Sequence, residues 1–137
     1  MRQYALLIAL AVLVIGACGG DDSPRSSGAE LTDEQYLAAI CSGTSRFAEA
    51  LVTKTRAEDI GDVIKQFSAE LKALNPPADL KSYTAQFTKY LDDAVSDPTS
   101  LVTRTPPLPS SDVRSRLAGK EATVAECKDG TFFSRGQ

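Results

Sequence analysis

The chain has 137 residues, with 15 Lys and Arg against 18 Asp and Glu, three Cys, one Met and neither His nor Trp, for a formal net charge of −3. This mildly acidic balance, without basic clusters, excludes nucleic acid as a partner, since its recognition needs grouped cations that displace phosphate counterions. The absence of His removes Ser-His and Cys-His nucleophilic pairs, His-ligated haem and every His-containing zinc or copper site. Neither a cofactor nor an enzymatic activity is expected.

The amino terminus opens on Met1 and Arg2, a short positive segment, followed by an apolar run from Tyr4 to Ile15. As a helix that run would reach roughly 18 Å against a hydrocarbon core of about 30 Å, so it reads as a cleaved export signal and not as a membrane span. It ends at Ile15-Gly16-Ala17-Cys18, with Gly19-Gly20-Asp21-Asp22-Ser23-Pro24 directly behind. These residues resemble a bacterial lipobox. The resemblance implies a lipoprotein whose Cys18 thiol receives a diacylglyceryl group and becomes the first mature residue. It implies a location on the extracytoplasmic face of the cell membrane or, because Gly19 follows the cysteine, of an outer membrane. Two or three acyl chains anchor stably where one binds only reversibly.

Three segments follow from this reading: a signal peptide over 1–17, a flexible tether over 18–30 and a helical domain over 31–137. The tether holds Gly, Ser, Asp and Pro and no large apolar residue, the composition of a solvated linker. Loss of Arg2 with the signal leaves 14 basic against 18 acidic side chains, about minus four.

Within the domain, apolar residues recur at helical spacing in four places, and no stretch alternates long enough for a strand. Thr32 is the expected cap of the first helix, with Gln35 completing a capping box. Tyr36, Leu37, Ile40, Cys41, Phe47, Ala48, Leu51 and Val52 form its apolar face. Thr55 with Glu58 is expected to open the second helix, whose stripe is Ile60, Val63, Ile64, Phe67, Leu71 and Leu74. Asn75-Pro76-Pro77 ends it, since proline lacks an N–H and disfavours helix in the preceding residue.

The same prolines suit the first turn of a third helix, in which Leu80, Tyr83, Phe87, Tyr90, Leu91, Ala94 and Val95 face one way. Asp97-Pro98 stops it, and Thr99 to Pro109 reads as an extended crossing loop of polyproline character. Ser110 or Ser111 is expected to cap a fourth helix, with Val113, Leu117, Val124 and Cys127 on its buried side and Gly119 loosening its middle.

The pattern predicts an all-α fold, an antiparallel four-helix bundle with a long Pro-rich connection before the last helix. Once Cys18 is assigned to the lipid, Cys41 and Cys127 are left to pair in an oxidising compartment. Antiparallel neighbours, helices one and four, would bring the two to similar heights.

Candidate functional groups are few. Asp92, Asp93 and Asp97 make the richest acidic spot, read as a solvated face. Tyr83, Phe87 and Tyr90 are core residues or, alternatively, the lining of a ligand pocket. Phe132 and Phe133 either fold back on the bundle or stay exposed as a partner surface. The domain therefore reads as a non-enzymatic interaction module, tethered to the membrane by lipid and binding an envelope protein or extracellular ligand. A small-molecule carrier or sensor with an internal pocket is the alternative.

Overall fold

Thr32 opens the folded domain through a reciprocal cap. Its hydroxyl accepts from the Gln35 N–H (3.2 Å), and the Gln35 side chain accepts from the Thr32 N–H (2.9 Å). Such a cap contributes about 1 kcal/mol to the helix it starts. The computed structural model describes residues 28–128 and 132–134. The lipobox-like residues Ile15-Gly16-Ala17-Cys18, most of the tether, and Asp129, Gly130 and Thr131 lie outside the described residues.

Helix α1 spans Asp33–Val52. Its first half is buried through Tyr36, Leu37, Ile40 and Cys41. The predicted apolar face does not continue to the end, because Ala48 is exposed and Val52 is 85% exposed. Helix α2, Ala57–Lys72, starts at Arg56 without a side-chain cap, which corrects the expected role of Thr55. Glu58, in place of closing a capping box, pairs with Arg56 at 2.8 Å. The α2 stripe is buried at Ile64, Phe67 and Leu71, with Ile60 and Leu74 packed on the core from either end.

Pro76 and Pro77 are buried and lead into a 3-10 turn, Ala78–Leu80, that runs directly into α3, Lys81–Ala94. The prolines therefore precede the third helix by one tight turn. α1 and α2 run antiparallel, with Phe47 stacked on Phe67 at 5.0 Å and Arg46 paired with Glu70 at 2.8 Å. α2 and α3 do the same, Gly61 near the start of α2 meeting Val95 at the end of α3, and Ser68 further along α2 donating back to the Thr88 carbonyl at 3.5 Å.

The segment expected to be a plain crossing loop contains a short helix, α4, Ser100–Thr103. It is held by the Tyr90 hydroxyl, which donates to the Leu101 carbonyl at 2.9 Å. Helix α5, Ser111–Glu121, takes Ser110 as its N-cap by position, without a side-chain hydrogen bond. It buries only Val113, Leu117 and Glu121. Val124 and Cys127, expected on this helix, lie beyond it; Cys127 belongs to a second 3-10 turn, Ala125–Cys127.

The architecture is a helical bundle of four longer helices and one short one, with no strand among the described residues. Cys41 and Cys127 form the disulfide, with Cα atoms 5.0 Å apart. No described helix is long and apolar enough to cross a membrane.

Candidate functional site

Aromatic side chains converge at the centre of the bundle. Tyr83, Phe87 and Tyr90 follow one another along α3, and all three are buried. Tyr83 stacks on Phe87 at 5.9 Å and Phe87 on Tyr90 at 6.2 Å, while Phe67 of α2 meets Phe87 edge-on at 6.5 Å. These rings pack on one another as core residues do. The Tyr90 hydroxyl is satisfied by the backbone of α4, which explains how a residue with a polar tip is accommodated here.

Tyr36 completes the cluster from α1. Thr84 donates its hydroxyl proton to the Leu80 carbonyl (2.9 Å), so Tyr36 must donate to Thr84 across their 2.9 Å contact. Burial pushes the Tyr36 hydroxyl up to about 12, with the Thr84 contact opposing it. Burial also raises Tyr83, reinforced by the nearby Tyr36.

Of the two alternatives open for Phe132 and Phe133, an exposed partner surface is corrected: both rings fold back on the bundle. Phe133 is 2% exposed and packs edge-on to Tyr83 at 5.9 Å. Phe132 is partly buried and packs edge-on to Phe87 at 5.7 Å. The two rings meet each other at 4.9 Å. Sequence reasoning left this choice open because Thr131-Phe132-Phe133 follows no helical or strand periodicity that would mark a buried side.

The residue that sequence reasoning missed is Glu121. It ends α5 and is 1% exposed. A buried carboxylate is costly unless its oxygens accept hydrogen bonds. Here they accept from the backbone N–H groups of Phe132 (2.7 Å), Phe133 (2.5 Å) and Ser134 (3.1 Å), and from the Ser134 hydroxyl. No described cation pairs with it. Its position between Lys120 and Ala122 looks like an ordinary helix-end surface in the sequence, so nothing local signals burial.

In the acidic spot at the end of α3, Asp92 and Asp93 are paired with cations from α2, from α3 itself and from the residue after α4. Asp92 bonds Lys72 Nζ and Ser68 Oγ, each at 2.6 Å, and these contacts hold its carboxyl below the usual range, Lys72 first. Asp93 pairs with Lys89 at 2.9 Å and Arg104 at 3.4 Å, and is lowered mainly by Lys89. Asp97 accepts from the Thr99 hydroxyl. The three carboxylates thus have separate partners, and no described cluster of acidic or sulfur side chains is arranged to hold a metal.

A second ion cluster joins α5 to the start of α1. Arg116 contacts Asp33 at 2.9 Å and Asp79 at 2.7 Å, while Lys120 contacts Asp33 and Glu34, both at 2.9 Å. Arg116 lowers Asp79 and Lys120 lowers Glu34 from their ordinary values. Between α1 and α2 lies a cleft of about 60 Å³ floored by Phe67 beneath Gly43, with Arg46 and Glu70 at its rim. This falls well short of the several hundred Å³ of typical small-molecule sites.

No known protein family, curated protein or solved structure matches this chain.

Proposed function

We propose that the chain is a lipid-anchored extracytoplasmic lipoprotein whose disulfide-bound helical domain is a non-enzymatic interaction module for an envelope protein or extracellular ligand. The observation that carries this reading is the use of the three cysteines. Cys41 and Cys127 are bonded to each other inside the core, as expected of a chain that folds outside the reducing cytosol. Cys18 is then the single cysteine left, and it stands at the end of the lipobox-like segment.

The placement of the chain entry supports the same reading. Leu31 N–H donates to the Asn75 carbonyl at 2.8 Å, and the Asn75 amide donates to the Gly28 carbonyl at 3.0 Å. The tether therefore joins the bundle at the α2–α3 connection. α1, with 20 residues, carries its far end about 30 Å away. Exposed Val52 belongs to that far end. The cations and carboxylates of the ion clusters are engaged with one another, which favours binding over catalysis.

The test is the mature amino terminus. Mass analysis of protein from intact cells is expected to find an acylated Cys18 and no residue before it, and Cys18→Ala is expected to move the protein out of the membrane fraction. An unprocessed chain, or an equally membrane-bound variant, defeats the reading.

A further inference from the structure

Phe132-Phe133-Ser134 lies on the bundle in the manner of a bound peptide. An ionised carboxylate has about four acceptor positions, and Glu121 uses its oxygens to accept from three successive main-chain N–H groups and one hydroxyl of this single segment. Beside it, Tyr83 and Phe87 receive the two rings. Main-chain hydrogen bonds next to side-chain sockets are the usual division of labour in peptide recognition, the first giving affinity and the second specificity.

The acceptor is built from residues that other contacts hold. Glu121 ends a helix tied to α1 and Asp79 by Arg116 and Lys120, and Tyr83 and Phe87 belong to α3, packed along α2. The segment is joined to this frame by four residues after Cys127, which is bonded to α1 through Cys41. Its departure requires no helix to move.

We propose that Glu121, Tyr83 and Phe87 form a peptide-acceptor site, closed in cis by the chain's own tail, that takes in exchange a bent segment with two adjacent aromatic residues from a partner protein. This rests on the interaction-module reading and gives the partner its chemistry. The tail sets the threshold for exchange, since a short tether presents it at an effective concentration on the order of 1 mM.

The probe is a synthetic peptide with the sequence of residues 129–137, titrated against the full chain carrying Phe132→Ala and Phe133→Ala. Saturable binding with a Kd below about 0.1 mM is expected, at least about tenfold weaker to the wild-type chain, whose own tail competes at about 1 mM. Adding Glu121→Gln to the tail-disabled chain is expected to weaken binding about tenfold, because charge-assisted hydrogen bonds are roughly twice as strong as neutral ones. Absence of binding to a folded tail-disabled chain, or equal binding to both chains, overturns the proposal. If that variant does not fold, amide exchange in the wild type decides. The Phe132 to Ser134 amides are expected to exchange at least about tenfold faster than Ile40 in α1, and equal rates overturn the proposal by tying the tail to global unfolding. Peptide binding does not depend on the anchor, so its failure and a failure of the Cys18 test are told apart.

Discussion

The α2–α3 contact and the α5–tail region are held by different means. α2 and α3 approach so closely that a Cβ placed on Gly61 would stand 2.5 Å from the Val95 carbonyl oxygen. Their interface is a continuous apolar stripe with Ser68, Lys72 and Asp92 closing its edge. α5 is weakly amphipathic and buries three side chains, one of them charged. Its place depends on the disulfide that follows it, on the Arg116 and Lys120 ion pairs, and on Glu121 gripping the tail. Where the sequence supplies a clean apolar face, packing suffices; where it does not, covalent and polar ties take over.

Breaking the tie that holds the α5–tail region to α1 gives the largest effect. The Cys41–Cys127 bond spans 86 residues, and the chain-entropy treatment values such a loop at about 4 to 5 kcal/mol. The double variant Cys41→Ala, Cys127→Ala is expected to lose most of that in urea unfolding, with amide protection falling first in α5 and last in α2 and α3. Uniform loss across all helices contradicts the comparison.

Alkaline pH loads the shared aromatic centre. Tyr36 is raised to about 12 in the folded protein against about 10 in an unfolded chain. The unfolded state therefore releases its proton first, so the stabilisation is full below about pH 10 and is lost as pH climbs towards 12. The expected loss is about 2 to 3 kcal/mol, followed by denaturant midpoints between pH 9 and 12. Tyr36→Phe is expected to flatten this dependence, though Tyr83 contributes in the same direction.

Two glycine substitutions sharpen the contrast. Gly61→Ala is expected to cost about 1 to 3 kcal/mol, since the backbone oxygen of Val95 cannot yield as a side chain would. Gly119→Ala, where nothing lies within 4 Å of the added carbon, is expected to gain about 0.5 to 1 kcal/mol from helix propensity. Thermal midpoints that move in the same direction contradict the packing difference.

The smallest effect concerns the exposed carboxylates. Asp79 and Asp92 are held below their ordinary values by Arg116 and Lys72. Their contribution is present above about pH 4, the unfolded value, and fades as pH falls through the depressed folded values. Arg116→Ala is expected to weaken the acid dependence, with a change at neutral pH under about 1 kcal/mol that shrinks in high salt. An acid profile unchanged by that variant removes the ion cluster from the account of α5.

Helices α1 to α3 were legible because their signals are local: the Thr32 and Gln35 cap, the spacing of Ile60, Ile64, Phe67 and Leu71, and the stop at Asn75-Pro76-Pro77. Thr55 misled because a capping residue type does not force the cap; the chain entered α2 one residue later, at Arg56. The burial of Glu121 was not legible, because its partners arrive from residues 11 to 13 positions onward that carry no periodic pattern.

By itself the sequence determined an all-α class, the approximate limits of three helices, and two cysteines suited to pairing, all properties of spacing along a few turns of chain or of residue counts. Tertiary structure alone decided that Gly61 sets the α2–α3 distance, that Cys127 reaches Cys41 from a turn beyond α5, and that Phe133 is buried while Val52 is exposed. The physical reason is that burial and hydrogen-bond satisfaction depend on what other segments bring to a position, and a side chain carries no record of partners distant in sequence.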